Sequence, residues 1–152
     1  MLVLIVAIFI AGFWVAAHRD SGPFPKTVRT KVSFALYYPA KLSAGLQVDK
    51  SSMSATSQVV TYQVTDKASS SHFVVSIQPE PAGFDFQSFY EQFFNPDKFS
   101  TEIGDVEVGN VSVNLMSSIR TKEGCWIIIN TTNQQAKPKL VELTRSLALV
   151  KN

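Results

Sequence analysis

The sequence predicts an α+β fold in which two amphipathic helices pack on an antiparallel β-sheet, with a transmembrane helix before it. Three observations support this prediction. Short runs in which apolar and polar residues alternate fill much of the chain, two segments show a helical period, and the first 17 residues contain no charge and no proline. Strand runs combined with a few separate helices are typical of helices packed on one antiparallel sheet.

The chain opens with the apolar run, residues 1–17. As a helix it would be about 25 Å long, at the short end of what crosses a bilayer, and Trp14 would lie in the interfacial aromatic belt. The alternative is a cleaved signal peptide, because Val15, Ala16 and Ala17 fit the positions that a signal peptidase reads. We favour an anchor because no basic residue precedes the run. We therefore expect a transmembrane anchor at 1–18, a juxtamembrane neck at 19–31 and a folded domain at 32–152.

Two features indicate opposite sides of the membrane for that domain. The basic residues follow the apolar run, which by the positive-inside rule would place the domain in the cytoplasm. The run begins at Met1 without a basic segment before it, so we expect residues upstream to be missing and the charge count to be incomplete. The domain is rich in Ser and Thr and carries few charges, which is typical of exported modules. We therefore predict an extracytoplasmic domain.

The strands of the predicted sheet follow one another along the domain. Residues 32–42 (VSFALYYPAKL) form the first extended segment. Residues 58–67 and 72–80 alternate between apolar and polar positions, and the polar turn between them predicts a hairpin. Val106 and Val108 alternate, Gly109 and Asn110 interrupt the run, and Val111, Val113 and Leu115 alternate again. Residues 125–130 (CWIIIN) are apolar on both faces, which predicts a central strand that is covered on both sides.

Two segments show the helical period. Asp85 is a suitable N-cap for a helix over about 85–94, because aromatic residues follow at the spacing of one helix face: Phe86, Phe89, Tyr90 and Phe93. This face is predicted to pack on the sheet, and a candidate partner patch is formed by Phe84, Phe86 and Phe94, of which Phe84 or Phe94 would extend beyond the core. Pro138 suits the first turn of a second helix over about 138–150, with an apolar stripe of Leu140, Leu143, Leu147 and Val150.

The charge distribution argues against a nucleic-acid-binding protein. Residues 20–152 contain 13 of the 14 Lys and Arg residues and all 12 Asp and Glu residues, a formal charge of +1, whereas such binders usually carry a strongly basic surface. The one basic cluster follows the apolar run. Its members are candidates for contacts with anionic lipid headgroups: Arg19, Lys26, Arg29 and Lys31.

We predict no catalytic residue, no metal site and no cofactor. His72 begins a strand without a nucleophile motif nearby. The single Cys125 cannot form an internal disulfide, and its apolar neighbours predict a buried, poorly ionised thiol. The nearest acidic cluster, Glu102, Asp105 and Glu107, is too small for the six or more oxygen ligands that calcium prefers. Glu107 also alternates with valines, so we expect its side chain to point to solvent.

Two stretches, FPKTVRTKVSFALYYPAKL (24–42) and HFVVSIQPEPAGFDFQSFY (72–90), resemble single-span proteins from small-genome bacteria of the Saccharibacteria type. These share an F-P-x-x-V-R neck, an F-x-L-Y-Y-P-x-K-L strand and a later Q-P-x-P…F-D-F segment, and the resemblance covers most of residues 23–130. The family has no assigned activity, so the resemblance implies no catalytic residues, but it implies a basic cytoplasmic tail before the span. More loosely, the element order is similar to PsbP-like domains and to extracytoplasmic modules of Gram-positive envelopes, which are mostly binding or accessory modules.

We therefore predict a membrane-tethered extracytoplasmic domain that is a non-catalytic binding or accessory module of the bacterial cell envelope. Its predicted partners are the membrane, through a single span, and an envelope protein, with no nucleic acid. One alternative is a structural subunit of an envelope or secretion assembly, in which small residues along the span allow close helix packing. The other is a hydrolase whose site is not recognisable from the sequence.

Overall fold

The computed structural model describes residues 22–150, and the predicted transmembrane anchor at 1–18 lies outside them. Strands make up 48% of the described residues and helices 17%, so the fold is mainly β and the predicted α+β class is wrong. Within residues 22–150, no helix combines the length and apolar composition needed to cross a membrane. The helices are α1 (Lys26–Arg29), α2 (Phe86–Tyr90) and α3 (Lys137–Ser146), and a 3-10 turn, Gln134–Ala136, precedes α3.

Nine strands are found in the described part of the chain, and seven of them form one antiparallel sheet. The strands are β1 (Tyr37–Pro39), β2 (Leu46–Ala55), β3 (Val60–Asp66), β4 (Ser71–Pro79), β5 (Phe94–Ser100), β6 (Gly104–Val111), β7 (Asn114–Thr121), β8 (Cys125–Thr131) and β9 (Leu147–Leu149). The sheet has the order β2-β3-β4-β8-β7-β6-β5, and β1 pairs separately with β9. The predicted hairpin is confirmed as β3–β4, and the predicted central strand is confirmed as β8, between β4 and β7. Its predicted cover on both faces is found only at Trp126, because Ile128 and Asn130 on the second face are partly exposed.

The hydrophobic core lies on one face of this sheet. Alternate residues of the central strands point into it and are fully buried, for example Val75, Ile77, Ile119, Ile127 and Ile129. Helix α3 covers this face with Leu140 and Leu143, and residues from the predicted neck, Phe24 and Val28, are buried in the same core. The strand residues that point the other way form the second face, which carries the candidate site.

Both predicted helices are shorter than expected, because strand pairing begins before their periodic patterns end. Asp85 is the N-cap of α2, as predicted, and its carboxylate accepts a hydrogen bond from the Ser88 amide at 3.0 Å. The helix ends at Tyr90 and continues as tighter turns, in which Gln92 N donates to Phe89 O and Phe93 N donates to Tyr90 O. Asn95, with a left-handed φ of 46°, and Pro96, which supplies no amide hydrogen, exclude a return to helix. Phe94 therefore begins strand β5 and pairs with β6.

The second helix ends at Ser146. Leu147 has extended backbone angles, φ −65° and ψ 132°, and starts the strand that pairs with Tyr37–Pro39. Its side chain is 5% exposed. An apolar residue at this position is thus buried in the strand just as it would be in a longer helix, so the periodic pattern did not distinguish the two conformations.

Candidate functional site

The second face of the sheet is partly covered by residues 80–93, which we call the aromatic segment. Pro81 and Gly83, which has a φ of 72°, turn the chain after β4 and direct it across the neighbouring strands. The segment then packs closely, because Phe86 and Phe93 are only 8% and 6% exposed. It ends above β6, where the ring of Phe93 lies within 3.2 Å of the position that a Cβ on Gly109 would take.

The rings of the aromatic segment pack around Trp126 of β8. The ring centroid of Trp126 lies 4.8 Å from Phe84 and 5.2 Å from both Phe86 and Phe89. Most of these pairs are edge-to-face or tilted, the geometries that aromatic quadrupoles favour. Trp126 is 5% exposed, whereas Phe84 is 38% exposed. The cluster is therefore a packed support that presents one ring to solvent.

A buried hydroxyl connects the aromatic segment to the sheet. The indole Nε1 of Trp126 donates to Ser118 Oγ at 2.8 Å, and the Tyr90 hydroxyl lies 3.2 Å from the same oxygen. Burial is the main cause that raises the pKa of Tyr90. Because buried Trp and Tyr need partners for their polar atoms, this network holds Tyr90 and the segment in one position.

Arg120 of β7 contacts Phe86, the ring packed against the exposed Phe84, and lines the same groove as Phe84. Its guanidinium forms an ion pair with Glu80, in which Nε donates to Oε2 at 3.2 Å and Nη2 donates to Oε1. Its Cζ lies 4.3 Å from the ring centroid of Phe86, a cation–π contact. The hydrogen bonds to Glu80 raise the pKa of Arg120. We call Glu80, Phe84, Phe86 and Arg120 the aromatic–arginine surface.

Two grooves adjoin this surface. One, of about 710 Å³, runs between the turn 81–86 and Gly124. The other, of about 890 Å³, lies between the aromatic segment and the β5–β7 corner of the sheet, and it is lined by Tyr90, Glu107 and Arg120 among others. Both grooves include Glu80 and Arg120, so the ion pair separates two spaces that can each hold part of a ligand.

The acidic residues of the larger groove have partners nearby. Lys98 Nζ lies 3.0 Å from Glu107 Oε1, and Ser100 Oγ donates to Asp105 at 2.7 Å. The Glu107 side chain is only 14% exposed, so the prediction that it points to solvent is wrong. The reason is the aromatic segment, which covers that part of the strand and could not be positioned from the alternation of β6.

The structure brings together only part of the predicted partner patch. The rings of Phe84 and Phe86 are 4.8 Å apart, whereas Phe94 lies in β5 opposite Asn110 and is 70% exposed. Sequence reasoning missed Arg120 and Trp126, which face each other across β7 and β8. The tight turn between the two strands, residues 122–124, was the available signal, because a hairpin centred there pairs residue 120 with residue 126.

Other candidate residues lie apart from this surface. His72 is exposed, with Nδ1 3.5 Å from Thr65 Oγ1. Cys125 is 1% exposed and its thiol faces Ala35 O at 3.7 Å. Burial raises the pKa of this thiol, which confirms the prediction of a buried, poorly ionised cysteine. Across residues 22–150, no three His, Cys, Asp or Glu side chains are grouped so that they could hold a metal ion.

The predicted lipid-contacting residues lie at the start of the described chain. Lys26 and Arg29 belong to α1, and Lys31 follows it with Nζ 3.4 Å from Ala55 O. Lys26 and Lys31 are exposed, and Arg29 is partly buried. Arg19 lies outside the described residues.

Comparison with protein-family models, with curated proteins and with solved structures found no significant match. The resemblance to single-span bacterial proteins therefore stays a prediction. The account of function that follows depends on the geometry of the aromatic–arginine surface.

Proposed function

We propose that this protein is a membrane-tethered, extracytoplasmic binding module of the bacterial cell envelope, and that it contacts its partner through the aromatic–arginine surface. The observation that carries this proposal is the exposed Phe84 ring, which is supported by buried Trp126 and lies beside the Glu80–Arg120 ion pair. Aromatic residues and Arg are enriched at the energetic centres of protein interfaces, where packed neighbours hold them in place.

The charges in the larger groove support binding over catalysis. Lys98 is paired with Glu107, and Arg120 with Glu80. A general acid or base needs access to a reacting group, whereas Glu107 Oε1 and the Glu80 carboxylate are already engaged by Lys98 and Arg120. Such paired charges can instead orient a partner whose own charges alternate along the groove.

The start of the domain supports the membrane tether. Phe24 and Val28 are 1% and 4% exposed, so the chain is fixed to the core within a few residues of the predicted anchor at 1–18. An anchor there would hold Lys26, Arg29 and Lys31 near the bilayer. Each such cation contributes on the order of 1 kcal/mol at an anionic membrane surface.

Site-specific photo-crosslinking tests the binding surface. A photoreactive amino acid replaces Phe84 in one form of the full chain and Phe94 in another, and both are expressed in intact bacterial cells that contain the natural partners. Phe94 is the matched control because it is an exposed Phe outside the aromatic–arginine surface. We expect a discrete crosslinked product at position 84 that is absent at position 94. Equal products at both positions, or none at position 84, would contradict the proposed surface.

Protease digestion tests the orientation separately. Added protease should remove the domain from intact cells while a cytoplasmic marker protein survives. Protection of the domain until the cells are opened would overturn the extracytoplasmic placement, whatever the crosslinking result.

A further inference from the structure

The aromatic segment leaves part of the second sheet face uncovered, over strands β3, β4 and β8. We call this part the open face. Its side chains form two rows across the strands, and the register aligns Thr61 with Ser76 and Ile128, and Gln63 with Val74 and Asn130. All six side chains are partly or fully exposed.

The open face carries no ionised side chain. The outward-pointing positions of β3, β4 and β8 hold Thr, Gln, Ser, Asn, His and apolar residues, with no Lys, Arg, Asp or Glu. The charge that borders these strands on the β2 side is Asp49, opposite Gln63. Solvated protein surfaces are usually about one quarter to one third charged, and the opposite corner of this same face carries Lys98, Glu107 and Arg120. Three adjacent strands without a charge are therefore a distinctive surface.

The polar groups of the open face are available to a ligand. Within residues 22–150, no hydrogen bond engages the side-chain carboxamides of Gln63 and Asn130 or the hydroxyls of Thr61 and Ser76. Neighbouring strands lie about 4.8 Å apart and alternate residues about 7 Å apart. Donors and acceptors thus repeat at short intervals in two directions, around the apolar side chains of Val74 and Ile128.

We infer that the open face binds an uncharged polysaccharide. Charge complementarity is the main argument, because nucleic acids and anionic polymers require Lys and Arg at their contact surface. A protein partner would favour aromatic residues and Arg in the interface core, where Ser is depleted. A neutral polysaccharide supplies hydroxyls that match the amides and hydroxyls of the face, and apolar C–H groups that cover Val74 and Ile128. No charge loses its hydration in such a contact.

A co-sedimentation assay with the detergent-solubilised full chain tests this inference. The probes are insoluble chitin and insoluble cellulose, and the bound fraction is measured against the amount of polysaccharide. Gln63→Lys places a charge on the open face, in the strand that borders β2, and Gln58→Lys makes the same substitution at an exposed position in the turn before β3. We expect wild type and Gln58→Lys to bind at least one of the two probes equally, and Gln63→Lys to bind about tenfold more weakly, a loss of about 1.4 kcal/mol.

Three results would overturn the inference. They are no retention of wild type on either probe, equal weakening by the two Lys substitutions, and retention that Phe84→Ala abolishes while Gln63→Lys does not change it. The last result would assign the polysaccharide to the aromatic–arginine surface. The inference does not depend on that surface, because the two sets of residues do not overlap. Urea midpoints of the variants check that each one is folded.

Discussion

Replacing Phe86 by Ala removes the side chain at the centre of the aromatic segment. The Phe86 ring is 8% exposed, and its centroid lies 4.8 Å from that of Phe84 and 5.2 Å from that of Trp126. On its other side it contacts the Arg120 guanidinium at 4.3 Å. The substitution therefore breaks the contacts that join the exposed ring, the buried indole and the ion pair into one surface.

The expected loss of stability is about 3 kcal/mol. A buried aromatic side chain removes roughly 150–250 Å² from water, and at roughly 25 cal/mol per Å² this corresponds to about 4–6 kcal/mol as an upper estimate. Measured Phe→Ala substitutions in cores cost about 3–5 kcal/mol. We expect the lower end for Phe86 because the aromatic segment lies at the surface, where solvent can fill the space that the ring leaves.

Urea unfolding of the detergent-solubilised full chain, followed by Trp fluorescence, measures this loss. The chain has two Trp residues, so Trp14→Phe makes Trp126 the single reporter. The Phe86→Ala variant should also show red-shifted native emission, because Trp126 gains contact with water. Phe94→Ala is the control, since Phe94 is 70% exposed and surface substitutions usually change stability by about 0.5 kcal/mol or less. Equal losses for the two variants, or unchanged native emission in Phe86→Ala, would refute the reasoning.

Three other substitutions or reactions test the fold around the site. In Gly104→Ala, the new Cβ would lie 2.0 Å from Arg120 O, so β6 and β7 must separate. Urea unfolding should show a loss of stability above about 3 kcal/mol. The control is Gly83→Ala, whose new Cβ meets no atom within 4 Å and which should cost about 1 kcal/mol because of its positive φ. Equal losses would contradict the strand register. A hydrogen bond from the Ser69 hydroxyl holds the pKa of Asp66 below its usual range. The ionised carboxylate therefore stabilises the fold at pH values above its unfolded pKa. This contribution disappears as the pH falls through the folded pKa. Asp66→Asn should therefore flatten the fall in urea midpoint between pH 5 and pH 2 (roughly the range in which aspartate titrates), and an unchanged slope would contradict this assignment. Cys125 should react slowly with maleimide in the native protein and completely in urea, because burial raises the pKa of its thiol; rapid native labelling would show that the core is open there.

Local patterns predicted the strands well where one face is buried along the whole strand. The β3–β4 hairpin was readable because its burial follows a period of two, and the central strand β8 was readable because its sequence is a continuous apolar run. The ends of the helices were not readable. Phe94 and Leu147 continue the helical spacing of apolar residues, but both begin strands. They are fixed in these strands by pairing with Asn110 and Pro39, which lie elsewhere in the chain.

The site also depends on contacts between residues that are distant in sequence. Glu80 and Arg120 are 40 residues apart in sequence, and they meet because β8 lies between β4 and β7. No local pattern specifies that strand order. The sequence could therefore single out Phe84 and Phe86 as unusual, whereas the ion pair that borders them required the assembled sheet.

Cysteine labelling in intact cells tests the central claim most directly. Phe84→Cys and Phe94→Cys are each made in a Cys125→Ala background and treated with a membrane-impermeant maleimide, in cells and as purified full chain. Both positions are exposed, so both should react in the purified protein. In cells we predict that position 94 reacts, because the domain lies outside, and that position 84 is protected by its partner. Equal labelling of the two positions in cells would contradict the binding surface, and protection of both until the cells are opened would contradict the extracytoplasmic placement.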